Sequence, residues 1–380
     1  MIAKLYTSHL EKQLSRAHYL VLMLVIGILQ KVKNVKLEVL AQALPIPILF
    51  ESRRKKLQRF LDLEQLTIEK CWLPCVELLL KQVFCEEKTL YLAIDRTSWG
   101  LVNILMVSLI WQKRALPIAW ILLDKKGNSN LEEQQKVLNQ VFPLFTEHQV
   151  VVLGDREFCS PKLGKYLTAK GVDFCLRQKQ STNVSSQHQL STALKNLGLS
   201  PGMKLFFQGV NLTNQKGFGP FNLAGKWRKN YREFSAKEPW YLLTNLPNLE
   251  LAIRAYKKRF GIEEMFRDFK TGGYNLEETK LTSKRLSTLI VLISIAYTSA
   301  CLEGRMLSNM GLQKYLVRQR EPQRYIRRHS SFYVGIHAHL WVDLFQLYSE
   351  CVQELMQINR HKLPNYLKGL RARLQVLSAL

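Results

Sequence analysis

The sequence predicts a mixed α/β chain, helical at both ends with a sheet between, and three observations predict it. Residues 1–85 carry apolar side chains at helical spacing and contain no strand-like run. From Thr89 the texture changes to short, β-branched and apolar segments separated by turn residues. From about residue 250 helical spacing returns and continues to Leu380.

In the first region, Lys36 to Leu44 is helical in pattern, Pro45 and Pro47 break it, and Ile48 to Leu61 resumes with Arg53, Arg54, Lys55, Lys56 and Arg59 on board. Helix, short turn and basic second helix is the outline of a helix-turn-helix, whose second helix enters the major groove of DNA. Arg53, Arg54, Lys55 and Lys56 are therefore expected DNA contacts.

Three strands follow, Thr89 to Asp95, Val102 to Trp111 and Leu116 to Leu123, close enough in sequence to form an antiparallel meander. A helix over Asn130 to Phe145 leads to Gln149-Val-Val-Val-Leu-Gly-Asp155, which reads as a central parallel strand buried on both faces. A helix (Pro161 to Lys170) and a strand (Val172 to Arg177) complete the order βββαβαβ, which is that of an RNase H-like fold. In that topology the first and fourth strands are neighbours, so Asp95 and Asp155 converge at one strand end.

Residues 178–249 interrupt the pattern. Ser181 to Gln189 reads as a polar loop, and Met203 to Leu212, Phe218 to Lys226 and Trp240 to Leu246 read as strands of a mostly β insertion. Lys226, Trp227, Arg228, Lys229, Tyr231, Arg232, Trp240 and Tyr241 are the side chains that a nucleic-acid backbone and splayed bases would use.

A single helix is expected from Tyr256 to Lys270. Tyr256, Arg259, Glu263 and Lys270 fall within roughly 60° of one another on it, beside an apolar stripe of Ala255, Ile262, Met265, Phe266 and Phe269. A packed helix thus presents a carboxylate among cations and a phenol. Leu286 to Leu302 is apolar but interrupted by Ser and Thr, which suits a buried helix better than a membrane span, and Arg318 to His329, with Arg327 and Arg328, is a basic segment expected on phosphate.

Composition narrows the partner. With 55 Lys and Arg against 30 Asp and Glu, the net charge is +25, which points to a polyanion, first of all double-stranded DNA. Seven scattered cysteines form no zinc pattern or disulfide framework, and with no targeting segment evident a cytoplasmic protein is expected. No Ser/His/Asp or Cys/His pairing and no glycine-rich phosphate loop is identifiable. Three carboxylates around one point suit Mg²⁺, and two such ions about 3.5–4 Å apart can activate a hydroxyl and stabilise the leaving oxygen of a phosphodiester.

These motifs resemble the DDE transposases of bacterial insertion sequences, specifically the group with the signature Tyr, two residues, Arg, three residues, Glu, six residues, Lys. Tyr256, Arg259, Glu263 and Lys270 match all four positions and all three spacings. Ile94-Asp-Arg-Thr-Ser98 and Gly154-Asp-Arg-Glu-Phe158 are similar to the family's two aspartate motifs, and Trp240 to Pro247 to the strand before the glutamate helix. The resemblance implies Asp95, Asp155 and Glu263 as the catalytic, metal-binding triad, with Mg²⁺ replaceable by Mn²⁺. It implies Tyr256, Arg259 and Lys270 as phosphate contacts and Trp240 as the support of a flipped base in a hairpin intermediate. Glu264 is an alternative carboxylate, which the spacing passes over.

The same resemblance implies binding of the element's terminal inverted repeats, strand cleavage and strand transfer, by a homodimer bridging both ends. The expected organisation is a DNA-end-binding domain over residues 1–85, a catalytic core over 86–177 and 250–305, the insertion over 178–249, and a C-terminal region over 306–380 for DNA contact and dimerisation. Two rival readings predict different products: a nuclease or resolvase cuts without joining, and a domesticated DNA-binding protein binds without cutting.

Overall fold

The computed structural model describes residues 2–186, 189–213, 218–229, 236–318 and 329–380, so the predicted contacts Tyr231, Arg232, Arg327 and Arg328 lie outside the described residues. Two compact units make up the chain. Val83–Phe266 holds the sheet, and Met1–Gln82 with Arg267–Leu380 is helical.

Five helices open the helical unit: α1 (Lys4–Gln13), α2 (Arg16–Val32), α3 (Leu37–Ala43), α4 (Phe50–Leu61) and α5 (Leu73–Val83). Ten strands then form one sheet: β1 (Thr89–Trp99), β2 (Val102–Trp111), β3 (Arg114–Leu122), β4 (Gln149–Gly154), β5 (Asp173–Arg177), β6 (Asn183–Ser186), β7 (Gln189–Ala193), β8 (Lys204–Leu212), β9 (Phe218–Lys226) and β10 (Trp240–Thr244). Between β3 and β5 lie α6 (Leu131–Val141) and α7 (Pro161–Ala169). After β10 come α8 (Leu249–Lys258) and α9 (Phe260–Phe269).

The sheet runs β3-β2-β1-β4-β5-β10-β9-β8-β6-β7. β1 pairs antiparallel with β2 and parallel with β4, in a register that sets Ile94 opposite Gly154. Burial explains the central position: every residue of β4 after Gln149, and every residue of β2 except its two ends, is buried. Full burial of one such aliphatic side chain is worth about 1.5–3 kcal/mol. The capping box of α6, in which Asn130 and Glu133 each satisfy the other's backbone N–H, fixes where that helix starts.

One expectation is corrected here. The polar stretch read as a loop from Ser181 holds β6 over Asn183–Ser186, which pairs with β7 and extends the sheet beyond β8. The Ser, Thr, Gln and Asn that fill them are weak strand signals, and only pairing makes strands of them. The insertion is also one sheet with the rest, because β10 pairs antiparallel with β5, Leu243 opposite Leu176.

The predicted helix Tyr256 to Lys270 is likewise two helices. The chain tightens at Arg259, whose N–H bonds to Tyr256 O and whose carbonyl accepts from Ile262, both three-residue steps. The boundary between the two compact units falls after Phe266, within α9.

The helical unit is completed by α10 (Ser283–Asn309), α11 (Gln313–Leu316), α12 (Ser331–Leu347), α13 (Ser349–Ile358) and α14 (Leu363–Ala379). Among the described residues α10 alone is long and apolar enough to cross a membrane, and 89% of its apolar window is buried. It is a core helix. Gln30 of α2 donates to its Ala296 carbonyl at 3.2 Å, Ala3 N–H reaches Ser299 Oγ at 2.9 Å, and its Glu303 meets His339 of α12 at 2.7 Å.

Candidate active site

The site is built where the pairing of β1 with β4 ends. Since Ile94 and Gly154 are opposed in parallel strands, Asp95 and Asp155 are the next pair along. Each carboxylate is fixed by its own chain: Asp95 Oδ1 accepts Arg96 N–H at 2.7 Å, and Asp155 Oδ1 accepts Glu157 N–H at 2.8 Å. A glycine is required before Asp155, because a Cβ on Gly154 would stand 2.7 Å from Phe158 Cβ and 2.9 Å from Leu176 Cδ2.

Arg96 and Glu157 then lock β1 to the turn that follows β4. Arg96 Nε donates to both Glu157 oxygens, at 3.0 and 3.2 Å, and Glu157 Oε1 also accepts from the Ser129 backbone at 2.9 Å and its hydroxyl at 2.8 Å. Asn103 accepts from Arg96 Nη1 at 3.0 Å. Sequence reasoning missed these two positioning side chains. The signal was present in their places, one residue after Asp95 and two after Asp155, where a charged pair can tie the motifs together.

Burial and the neighbouring Asp155 carboxylate push the Asp95 carboxyl up to about 7, with Glu263 adding to the rise, while the Arg259 guanidinium and the Arg96 N–H pull the other way. Arg259 is the bridge of the site. It is buried, its Nη1 lies 3.4 Å from Asp95 Oδ2, and its Nη2 is hydrogen-bonded to Glu263 Oε1. Glu263 itself is exposed on α9.

That helix is pressed against β3. A Cβ on Gly261 would stand 2.8 Å from the Arg114 carbonyl oxygen, and the Arg114 side chain holds Glu264 by an ion pair. Glu264 is thus turned to β3 while Glu263 is turned to the aspartates through Arg259.

Tyr256 is buried rather than on a solvent stripe, as is Arg259. Burial pushes the Tyr256 hydroxyl up, and neither its Oη nor Arg259 Nε has a hydrogen-bond partner of good geometry. Trp240, first residue of β10, meets the Tyr256 ring edge-on at 5.0 Å, lies 6.5 Å from Phe260, and has the Arg228 guanidinium 5.4 Å from its centroid. Lys270 belongs to the helical unit, where its ammonium meets Glu277 at 2.7 Å.

Of the predicted helix-turn-helix cations, Arg53 and Arg54 are half-buried. Arg53 donates to Leu44 O at 3.1 Å and Gln42 O at 3.4 Å, and Arg54 meets Glu38 at 3.4 Å, so both brace the turn between α3 and α4. Lys55 and Lys56 are exposed.

Metal fit can be judged from the donors. Among the described residues no three His, Cys, Asp or Glu side chains stand close enough together to hold an ion. Asp95 and Asp155 suit one nonetheless: two hard oxygen donors whose mutual repulsion favours a proton on Asp95 near neutrality are satisfied by a divalent cation in its place.

Comparison with known proteins assigns the chain to a family. The profile of the transposase DDE domain matches residues 102–299, and the chain belongs to that family. It is an enzyme, a transposase. Among solved structures the chain is similar to the piggyBac transposase in a synaptic complex with hairpin DNA, at 13% identity and a TM-score of 0.40, over 96% of this chain and 80% of that one. So distant a likeness assigns no residue. No curated protein matches the chain.

Proposed function

We propose that the protein binds the terminal inverted repeats of its own insertion sequence and, with a divalent metal, cleaves and transfers DNA strands, with Asp95, Asp155 and Glu263 as the catalytic carboxylates of an RNase H-like core. The observation that carries this reading is the arrangement of Asp95 beside Asp155 on adjacent parallel strands, joined by Arg259 to Glu263. The match of Tyr256, Arg259, Glu263 and Lys270 to the signature of the bacterial group supports the finer assignment.

Asp95, Asp155 and Glu263 would hold Mg²⁺ or Mn²⁺, which when bound supplies Lewis-acid stabilisation of the phosphodiester oxygens. The side chains of the protein do the rest. The Asp95 and Asp155 carboxylates are held ready by backbone N–H groups, and Arg259, buried and cationic, balances the charge of Asp95 and Glu263. The Tyr256 hydroxyl and Arg259 Nε, neither with a partner of good geometry, are donors for which a phosphate oxygen is the fitting acceptor. Lys270 serves as a further phosphate contact and Trp240 as the aromatic support of an unstacked base. Residues 1–85 would read the element end through Lys55 and Lys56, and a homodimer would bring two ends together in the cytoplasm.

The test is to incubate the full chain with Mg²⁺ or Mn²⁺ and labelled duplex carrying the inverted repeats that flank its gene, beside Glu263→Gln. Metal-dependent release of 3′-ends and joined products, lost in the variant, is expected. Cutting without joining would instead make it a nuclease, and equal binding without cutting by both proteins would overturn the catalytic assignment.

A further inference from the structure

On the sheet face that carries α8, three opposed residues form a row across neighbouring strands. Lys204 of β8 faces Lys226 of β9, and Lys226 faces Trp240 of β10. Directly opposed residues of antiparallel strands project to one side, and strands lie about 4.8 Å apart, so the row is about 10 Å long. At one end Trp240 leans on Tyr256. The other end opens into a cleft of about 240 Å³ lined by Lys204, Lys226, Glu250, Ile253, Arg254 and Lys257.

Four cations face one carboxylate there, a net charge of +3, and Glu250 is no tight partner, lying 3.9 Å from Lys204 Nζ. Burial and the charges of Lys257, Lys204 and Arg228 hold Lys226 below its ordinary value. Like charges crowded into a concave surface cost the free protein stability that a bound anion returns. The cleft lies open along its length and its row runs on to an aromatic ring, which suits a chain of phosphates with bases attached better than a single free anion.

We propose that this cleft seats the phosphodiester backbone of the DNA strand whose unstacked base lies against Trp240, a second anchoring point beyond the catalytic carboxylates. The inference rests on the transposase reading above. It gives the insertion a task of its own: β8, β9 and α8 grip the strand a few nucleotides from the point of cleavage.

The experiment compares three full-length proteins: wild type, Lys204→Gln/Lys226→Gln/Lys257→Gln, and a control with the same charge change on other exposed lysines, Lys136→Gln/Lys162→Gln/Lys165→Gln. Affinity for duplex carrying the flanking inverted repeats is measured from 50 to 300 mM salt, with thermal unfolding as the check on folding. Each phosphate contact contributes about 0.9 to the slope of log K against log salt, so the cleft variant should lose roughly 2–3 units of slope while the control stays near wild type. If the triple variant unfolds, Lys226→Gln alone should lose about 1 unit.

Equal slopes and affinities for the cleft variant and the control would overturn the cleft proposal and leave the transposase reading standing. A wild type without salt-dependent binding to this duplex would overturn both.

Discussion

Asp95 stands in β1 just past its last pairing with β4, Asp155 directly follows β4, each accepts a backbone N–H within two residues, and the two segments are tied by Arg96 and Glu157. Glu263 is exposed on a helix, and Arg259, four residues earlier in sequence, holds its carboxylate. The Arg96 N–H belongs to β1 and the Glu157 N–H to the tight turn that Asp155 caps, so neither donor can turn away without breaking backbone structure, whereas a glutamate side chain can change rotamer at a cost of a kcal/mol or so. The aspartate end is fixed by the fold and the glutamate end is adjustable. A ligand entering between them would meet two carboxylates already in place and one still to recruit.

Four measurements break or sharpen that contrast. The largest effect is expected in turnover. Asp95→Asn, Asp155→Asn and Glu263→Gln should each lower metal-dependent cleavage by about 10³-fold, with DNA affinity within about threefold by gel shift. A glutamate variant that cuts normally would leave α9 without a catalytic role.

Next comes the charge pair behind the aspartates. The pair is part-buried, and a charge-assisted hydrogen bond of this kind is worth about 1.5–3 kcal/mol, so Arg96→Ala or Glu157→Gln should lower the unfolding midpoint, and the double variant should cost less than the sum of the two. Additive losses would mean that the pair does not couple the two segments. At the adjustable end Arg259→Gln removes a more deeply buried cation, so it should lower the unfolding midpoint at least as much as Arg96→Ala and, in addition, lower turnover and raise the proton affinity of Asp95.

The third measurement uses pH. The folded Asp95 carboxyl, at about 7, lies above its ordinary value of 3.8, so the folded protein binds the proton more tightly than the unfolded chain. Its contribution is full below about pH 4 and is lost as pH rises through 7, up to about 4 kcal/mol across that span. In metal-free buffer wild type should therefore lose stability from pH 5 to 8 relative to Asp95→Asn, and Mg²⁺ should restore it at pH 8. Parallel curves for the two proteins would remove the raised proton affinity from the account.

The smallest effect belongs to Tyr256. Its hydroxyl is buried without a partner of good geometry, so Tyr256→Phe should change unfolding free energy by less than about 1 kcal/mol, in the stabilising direction if at all, while weakening DNA binding. A marked loss of stability would show that the hydroxyl is already satisfied within the free protein.

Much of this was legible in residue order. β2 begins and ends where its apolar run does, at Val102 and Trp111, because a strand buried along its length writes itself as an uninterrupted apolar segment. The neighbouring of Asp95 and Asp155 followed from the order of strands, which leaves few ways to pair them. β6 and β7 were illegible because polar strands take their identity from partners. The break at Arg259 was illegible because one three-residue step barely disturbs helical periodicity. A charged residue at helical spacing also reads as exposed, yet Arg259 is buried, since two carboxylates supply in the interior what water supplies outside. Arg53 and Arg54 carry a second signal that a basic run does not write: Arg53 donates to carbonyls at the end of α3 and Arg54 meets Glu38 of α3.

The pairing of β10 with β5 has a consequence for how the chain is made. β5 is finished at Arg177 and β10 at Thr244, so during synthesis the β5 edge stands open for the time needed to add 67 residues, several seconds at ribosomal speed. An open, apolar strand edge is a template for pairing with another copy. Chains stopped between 178 and 239 keep that edge for good, and they belong in the insoluble fraction, where a chain carried past Thr244 does not.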